Sequence, residues 1–117
     1  MRAGHPAPFR VFLLLCTRPG AGSAFEQAWQ FGADLIAGQA GNLGQWLARG
    51  TDDPCTYYVV SDWADEESFR SYERSPVHAE HLARLRPYRT EGEMRTMSVV
   101  RSMSRGIPVP AGDRATS

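Results

Sequence analysis

Lysine is absent from this chain: all thirteen basic side chains are arginine, and thirteen acidic side chains balance them to a formal net charge of zero. Without lysine, catalysis through a Schiff base or a lysine general base is excluded. A net charge of zero also provides no positive field for a nucleic acid or an anionic membrane surface. We therefore expect neither nucleic acid nor membrane as a partner.

Long apolar runs and cysteine-based motifs are missing as well. The longest apolar run, residues 11–16, is far shorter than the roughly 20 residues that span a bilayer, and no signal-peptide cleavage site follows it, which predicts a cytoplasmic protein. The two cysteines, Cys16 and Cys55, are predicted to be buried free thiols in strands. The spacings typical of metal sites, phosphate-binding loops and nucleophilic serines are absent, so no metal site is predicted.

The 117 residues of the chain are enough for one domain. Both ends are rich in glycine, proline and small polar residues, without a periodic apolar pattern. This composition predicts an N-terminal flexible tail at residues 1–8 and a C-terminal flexible tail at 104–117. The folded domain is then expected at residues 9–103.

Apolar periodicity and helix-start signals predict the elements of this domain. The helix starts are indicated by Ser23 with Glu26 three residues later, a capping box, then by Asp65, and then by Ser75 followed by Pro76. The predicted strands are 9–18, 43–49, 55–63 and 94–103, and the predicted helices are 23–37, 66–74 and 75–85. The order βαββαβ is typical of an α+β fold of the ferredoxin-like type.

The predicted strands are apolar on both faces; in the first one, Phe12 and Leu14 alternate with Leu13 and Leu15. Helices cover only one face of such a sheet, so a second copy of the chain is expected to cover the other. We therefore predict a homodimer whose interface buries at least roughly 1,500 Å². A small, largely apolar cavity between sheet and helices would suit a flat aromatic ligand.

Three segments carry a family resemblance: residues 57–63 (YYVVSDW), 64–72 (ADEESFRSY) and 75–81 (SPVHAEH). A strand that ends in tryptophan, an acidic cap before a helix with a buried aromatic, and a Ser-Pro-x-His element resemble the antibiotic biosynthesis monooxygenase superfamily. The chain is similar in particular to small accessory tailoring proteins of aromatic type II polyketide and spore-pigment pathways. The resemblance implies a dimeric α+β barrel and oxygenation of an aromatic polyketide intermediate without a cofactor.

The family's functional residues transfer only in part. Trp63 matches the strand-terminal tryptophan, but Val59 stands where oxygenating members carry asparagine, and Phe69 aligns with their helix tyrosine. Because both polar groups are missing, a polyketide cyclase or aromatase of the same fold, working by general acid–base catalysis, is an alternative to the monooxygenase. A second alternative is a non-catalytic binding partner of a polyketide synthase complex.

His78 and His81 are the candidates for a general base, since histidine is the side chain whose unperturbed pKa suits this role near neutral pH. They lie three residues apart on one predicted helix, so one of them should face the sheet. Its neighbour Leu85 favours His81 as the inward base, with His78 as the alternate. The alternative is a histidine at the core boundary, bonded to backbone or to Glu80.

The other candidates are aromatic and polar side chains near the expected cavity. Gln45 would be buried without a partner unless it meets a ligand or the other subunit. The group Arg84, Arg86 and Arg89 could clamp a carboxylate or enolate oxygen, or lie at a solvated helix end. The predicted site thus consists of catalytic His81, His78 and Trp63, and of substrate-binding Gln45, Trp46, Tyr57, Val59, Phe69 and Tyr72.

Overall fold

The computed structural model describes residues 7–103, which form a four-stranded sheet and three helices. The elements are β1 (Phe9–Thr17), α1 (Gly22–Ile36), β2 (Asn42–Arg49), β3 (Thr56–Trp63), α2 (Glu66–Glu73), α3 (Pro76–Leu85) and β4 (Arg89–Ser98). The predicted ferredoxin-like α+β fold is confirmed, with its second helical segment divided into α2 and α3. The predicted tails lie largely outside the described residues, and the domain limits stay a prediction.

The sheet is antiparallel with the strand order β2-β3-β1-β4. β1 pairs with both of its neighbours along almost its whole length, so that Phe9 lies opposite Trp63 on one side and opposite Ser98 on the other. Residues opposite each other point to the same face of a sheet. Leu13 and Val59 are such a pair, and both pack against the core beneath the helices.

β4 begins and ends earlier than the predicted strand at 94–103, so that prediction was wrong in its limits. The segment around Gly92 has the glycine and acidic residues that are depleted in strands, and it is typical of a loop. Pairing with β1 overrides this local preference, because the register places Thr17 opposite Arg89 and continues from there along β1.

The predicted capping box of α1 is also wrong. The helix begins before Ser23, and its N-cap, Ala21, makes no side-chain capping bond. Glu26 points away from the helix start and accepts a hydrogen bond from the Tyr57 hydroxyl at 2.6 Å. A partner on β3 therefore replaces the local partner that the spacing indicated.

The other two helix-start signals are confirmed. Asp65 accepts a hydrogen bond from the backbone N–H of Ser68 at 2.8 Å, and Ser75 accepts one from the backbone N–H of His78 at 3.2 Å. Each side chain satisfies a backbone donor that the first turn of a helix leaves unpaired. These caps place α2 and α3 one after the other over the end of β3.

Cys16 and Cys55 are free thiols, as predicted, but both are partly exposed instead of buried. Cys16 lies on the face of the sheet that the helices do not cover, opposite Thr56 in the register. Cys55 precedes β3, and its carbonyl oxygen accepts the backbone N–H of Thr17 at 2.8 Å. Cys16 is partly exposed because it lies on the uncovered face, and Cys55 because it lies in a turn.

The core lies between the sheet and the helices as two clusters of buried side chains. One contains Leu15, Phe25, Trp29, Ala33, Tyr57 and Leu85, and the other Val11, Ile36, Trp63, Phe69 and Tyr72. No element within residues 7–103 covers the opposite face of the sheet, where Trp46 is 54% exposed. Among the described helices, none has the length and apolar character needed to cross a membrane.

Candidate active site

A small, mainly apolar cavity of about 90 Å³ lies between the sheet and the three helices. The strands β1 and β3 form its floor, and Arg89 and Met94 of β4 lie at its edge. Most of the predicted site residues line it, namely His78, His81, Trp63, Gln45, Val59, Phe69 and Tyr72. The cavity thus brings together residues that are far apart in the sequence, as the predicted site requires.

Three aromatic side chains form one wall of the cavity. Trp63 is fully buried, stacks on Tyr72 with ring centroids 5.2 Å apart, and meets Phe69 edge-on at 5.8 Å. The indole N–H of Trp63 donates to the hydroxyl oxygen of Ser61 at 3.1 Å, so its polar atom is satisfied within the protein. This wall offers ring faces and edges suited to an aromatic ligand.

His81 is the inward histidine of α3, with 7% of its surface exposed. Burial, together with the charges of Arg84 and His78, lowers the pKa of His81 to about 4. The expected pKa near neutrality is therefore wrong for this residue. At physiological pH His81 is a neutral imidazole and a weak base, because desolvation penalises its charged form.

His78 lies at the rim of the same wall and is only partly buried. Its ring meets Tyr72 edge-on with centroids 5.1 Å apart. Burial raises the pKa of Tyr72 well above its ordinary value, so that the phenol stays protonated at physiological pH. Between the two histidines, His78 is thus the more accessible group for proton transfer.

Gln45 has a hydrogen-bond partner within the chain, so the expectation that it needs a ligand or another subunit as partner is wrong. Its side-chain amide donates a hydrogen bond to the carbonyl oxygen of Ala33 at 2.7 Å. Ala33 lies in the last turns of α1, which packs over β2 and brings the carbonyl within reach. Gln45 therefore ties the sheet to α1 beside the cavity.

Only one of the three clustered arginines reaches the cavity. Arg89 lines it, and a Cβ built on Gly92 would overlap the Arg89 guanidinium and lie 2.9 Å from Leu15 Cδ2. Arg84 instead stacks over the Phe31 ring at 4.4 Å, while Arg86 is exposed. The three arginines are close together in the sequence, but only Arg89 belongs to β4, and the pairing of β4 with β1 places it at the cavity.

Trp46 and Tyr57, predicted to bind substrate, do not line the cavity. Trp46 pairs with Val60 on the edge strand β2 and is 54% exposed, outside this cavity. Tyr57 is buried beneath α1, and burial together with its bond to Glu26 raises the pKa of its hydroxyl. Strand register turns the Trp46 ring outward and places the Tyr57 ring in the first core cluster, so their roles in substrate binding stay predictions.

The cavity is small for the ligand class that the sequence indicates. A cavity of about 150 Å³ accommodates benzene, so multi-ring ligands need more space than this one provides. Met94 lines the cavity and is 43% exposed, which shows where it approaches solvent. A larger ligand would therefore have to widen the cavity.

Within residues 7–103, no group of three or more histidine, cysteine, aspartate or glutamate side chains is arranged to hold a metal ion. The polar side chains that line the cavity are the imidazoles of His78 and His81, the Arg89 guanidinium, the Gln45 amide, and the hydroxyls of Ser61 and Tyr72. They can donate hydrogen bonds, move a proton and balance a negative charge.

Comparison with known proteins adds a family to this geometry. Residues 8–84, more than half of the chain, match the family described as antibiotic biosynthesis monooxygenase. The protein SchA of Streptomyces halstedii is 27% identical over 79 residues, which covers 68% of this chain and 21% of SchA. The chain therefore spans about a fifth of the length of that relative.

Solved structures share the fold. SnoaB, a cofactor-independent oxygenase from Streptomyces nogalater, superimposes with a TM-score of 0.75 at 23% identity, over 83% of this chain and 97% of SnoaB. PA3566 from Pseudomonas aeruginosa superimposes with a TM-score of 0.73 at 13% identity, over 85% and 100% of the two chains. At identities this low, the similarity establishes the fold alone.

Proposed function

The chain belongs to the antibiotic biosynthesis monooxygenase family, and on this premise we propose that it is a cofactor-independent monooxygenase acting on an aromatic polyketide intermediate, a phenol or an anthrone. The observation that carries the proposal is the cavity itself, with an aromatic wall of Trp63, Phe69 and Tyr72 facing a histidine and an arginine. SnoaB, which has the same fold, is a cofactor-independent oxygenase.

In this proposal His78 accepts a proton from the phenol or from the methylene carbon of the anthrone, and Arg89 stabilises the resulting oxyanion. The anion passes one electron to dioxygen, and the superoxide and substrate radical combine to a peroxide anion. This anion takes a proton back from His78 and becomes the hydroperoxide. Loss of water from the hydroperoxide converts the methylene to a carbonyl. One dioxygen is consumed and one water released for each quinone formed.

The aromatic wall supports this chemistry by excluding water. Trp63 and Phe69 have almost no exposed surface, and Tyr72 little more. A dry environment protects a hydroperoxide and a radical pair from side reactions. His81, being neutral, leaves the wall without a second positive charge beside that of Arg89.

Oxygen consumption with 1,8-dihydroxyanthrone tests the proposal. The protein should accelerate oxygen uptake well above the rate in buffer, with one dioxygen consumed for each 1,8-dihydroxyanthraquinone that absorbance detects. Folded protein that leaves the oxygen uptake at the buffer rate would contradict the monooxygenase assignment for this substrate class. A protein denatured beforehand serves as the control for trace-metal oxidation.

A cyclase or aromatase is the second candidate, favoured by one observation. Val59 and Phe69 line the cavity with apolar side chains at the two positions where the resemblance leads one to expect polar groups. An aldol cyclisation needs acid–base groups and no dioxygen. Conversion of a poly-β-ketone under nitrogen, without oxygen uptake from the anthrone, would favour this candidate. Saturable binding of both compounds without turnover would favour a non-catalytic partner of a synthase complex.

We also propose that two copies of the chain pack through the uncovered face of the sheet. Phe12 and Tyr58 lie side by side on this face with ring centroids 5.9 Å apart, and Trp46 lies next to them. Large exposed apolar patches on soluble proteins are typical of interaction sites. The Arg10–Asp62 ion pair, with atoms 2.7 Å apart, gives the patch a polar border.

A further inference from the structure

Gly32 of α1 and His81 of α3 are in direct contact where the two helices pack. A Cβ built on Gly32 would overlap the Nδ1 and Cε1 atoms of His81 and would lie 2.9 Å from its Cγ. Both residues are buried. One edge of the imidazole therefore rests on the backbone of α1, at a position where any residue with a Cβ would collide with the ring.

The contact with Gly32 also affects which nitrogen of the His81 ring carries the proton. Nδ1 of His81 is buried and has no hydrogen-bond partner. The backbone beside it lies inside α1, where carbonyl oxygens accept the N–H groups of the next turn. Buried N–H groups without an acceptor are rarer than acceptors without a donor. A lone pair on Nδ1 is therefore favoured, which leaves the proton of the neutral ring on Nε2.

We propose that His81 binds an oxygen atom of the ligand by donating its Nε2–H, and that Gly32 is a positioning residue that fixes the orientation and the tautomer of the ring. His81 lines the cavity and its Nδ1 lies against α1, so Nε2 is the nitrogen that remains available to a ligand. The inference rests on the proposed function in one respect, because it takes this cavity as the substrate site.

The electrostatics of His81 favour a ketone as the group that it binds. Burial and the nearby Arg84 and His78 keep the ring uncharged at physiological pH. An uncharged donor matches a neutral carbonyl oxygen, whereas an oxyanion matches the Arg89 guanidinium, which also lines the cavity. A ligand that carries both a ketone and an acidic hydroxyl would use both groups.

The tautomer is measurable without a ligand. In ¹⁵N-labelled protein at pH 7, long-range proton–nitrogen spectra distinguish Nε2–H from Nδ1–H, and the His81 signals are identified by their loss in His81→Gln. We expect the Nε2–H pattern. An Nδ1–H pattern or a charged ring would overturn the proposal.

Gly32→Ala and Gly38→Ala form a matched pair. Gly38 follows α1, and a Cβ there would make an ordinary contact of 3.6 Å with the Leu35 carbonyl oxygen. Gly38→Ala should keep the Nε2–H pattern, and Gly32→Ala should lose it by displacing the ring. Retention of the pattern in a folded Gly32→Ala protein would overturn the positioning role. If Gly32→Ala does not fold, the double variant Gly32→Ala/His81→Gly, which removes the colliding ring, should fold again, and its failure to do so would overturn the role.

The ligand contact is tested with 1-tetralone and tetralin, two bicyclic probes that differ by the ketone oxygen. A hydrogen bond to this oxygen should make the wild-type protein prefer 1-tetralone by roughly fivefold in dissociation constant. His81→Leu should abolish the preference, and His81→Gln, which retains a side-chain N–H donor, should keep most of it.

The same preference in wild type and His81→Leu would overturn the ligand contact, and so would a wild-type protein that does not bind 1-tetralone. These outcomes are independent of turnover. If the protein does not accelerate oxygen uptake with the anthrone, the proposed function fails. The tautomer of His81 and the preference for the ketone are still decided by their own measurements.

Discussion

His78 and His81 lie one turn apart on α3, and their surroundings differ because only one of them faces α1. His81 is enclosed by Gly32 and the cavity wall, and burial lowers its pKa to about 4. His78 is partly exposed beside Tyr72. At the residue scale, we therefore propose different roles for the two imidazoles, with proton acceptance at His78 and hydrogen-bond donation at His81.

Replacing His78 tests the first of these roles. In His78→Gln, oxidation of 1,8-dihydroxyanthrone should slow by about 10²–10⁴-fold, the usual effect of losing a general base. Glu80→Gln, an exposed change on the same helix, is the control and should keep the wild-type rate. A folded His78→Gln protein with the wild-type rate would remove His78 from the mechanism.

His81 should make the stability of the protein depend on pH. Its pKa falls from an ordinary 6.5 to about 4 on folding. Between these two values the unfolded chain binds a proton that the folded chain does not, so stability decreases as the pH falls. The expected loss from this group is about 2 kcal/mol between pH 7 and pH 5.

Urea unfolding at pH 7 and pH 5 measures this effect. His81→Gln cannot titrate at this position, so its stability should fall by about 2 kcal/mol less than that of the wild type over the same range. The other titrating groups are common to both proteins and cancel in the comparison. Equal losses in both proteins would show that folding does not shift the pKa of His81.

At the element scale, the helix starts differ in how they are capped. α3 has a side-chain cap, because Ser75 accepts the backbone N–H of His78 and donates to the Tyr72 carbonyl oxygen at 2.6 Å. α1 has none, since Ser23 lies inside the helix and Ala21 occupies the cap position. The same residue type thus has different structural importance in two helices.

Two serine substitutions test this difference. Ser75→Ala should lower the free energy of unfolding by about 1 kcal/mol, the typical effect of losing an N-cap. Ser23→Ala, which removes no capping bond and leaves alanine inside a helix, should change it by less than about 0.5 kcal/mol. Denaturant unfolding of both variants provides the measurement. An equal loss of unfolding free energy in both variants would show that Ser23 also caps its helix.

At the scale of the whole molecule, the helices cover one face of the sheet and leave an aromatic patch on the other. Phe12, Trp46 and Tyr58 share this uncovered face by the strand register. Apolar groups at the centre of a β-sheet are ordinarily buried against another layer. Within residues 7–103 no such layer exists, and a second copy of the chain would provide it.

The sedimentation coefficient tests this assembly. Wild-type protein at micromolar concentration should sediment as a dimer, and Tyr58→Glu should shift it toward monomer, because a charge would be buried at the centre of the interface. Leu35→Glu places the same charge on the helix side, where Leu35 is 42% exposed, and should leave the dimer intact. A wild-type monomer at this concentration would refute the proposal.

The sequence was enough to predict the fold and seven of the residues that line the cavity. Apolar periodicity and the Asp65 and Ser75 caps are local signals, and they predicted the number, order and type of the elements. The alternation of side chains along strands and the helical repeat then indicated Trp63, Phe69 and His81 as inward residues. Each of these inferences depends on neighbours within one or two turns of the chain.

What the tertiary structure decided depends on contacts between distant segments. Strand pairing placed Arg89 at the cavity and turned Trp46 outward, and the approach of α1 gave Gln45 a partner in Ala33. Helix packing brought Gly32 onto His81 and lowered the pKa of that histidine by burial. A sequence states which groups are present, but their solvation and hydrogen-bond partners are set only when the sheet and helices close around them.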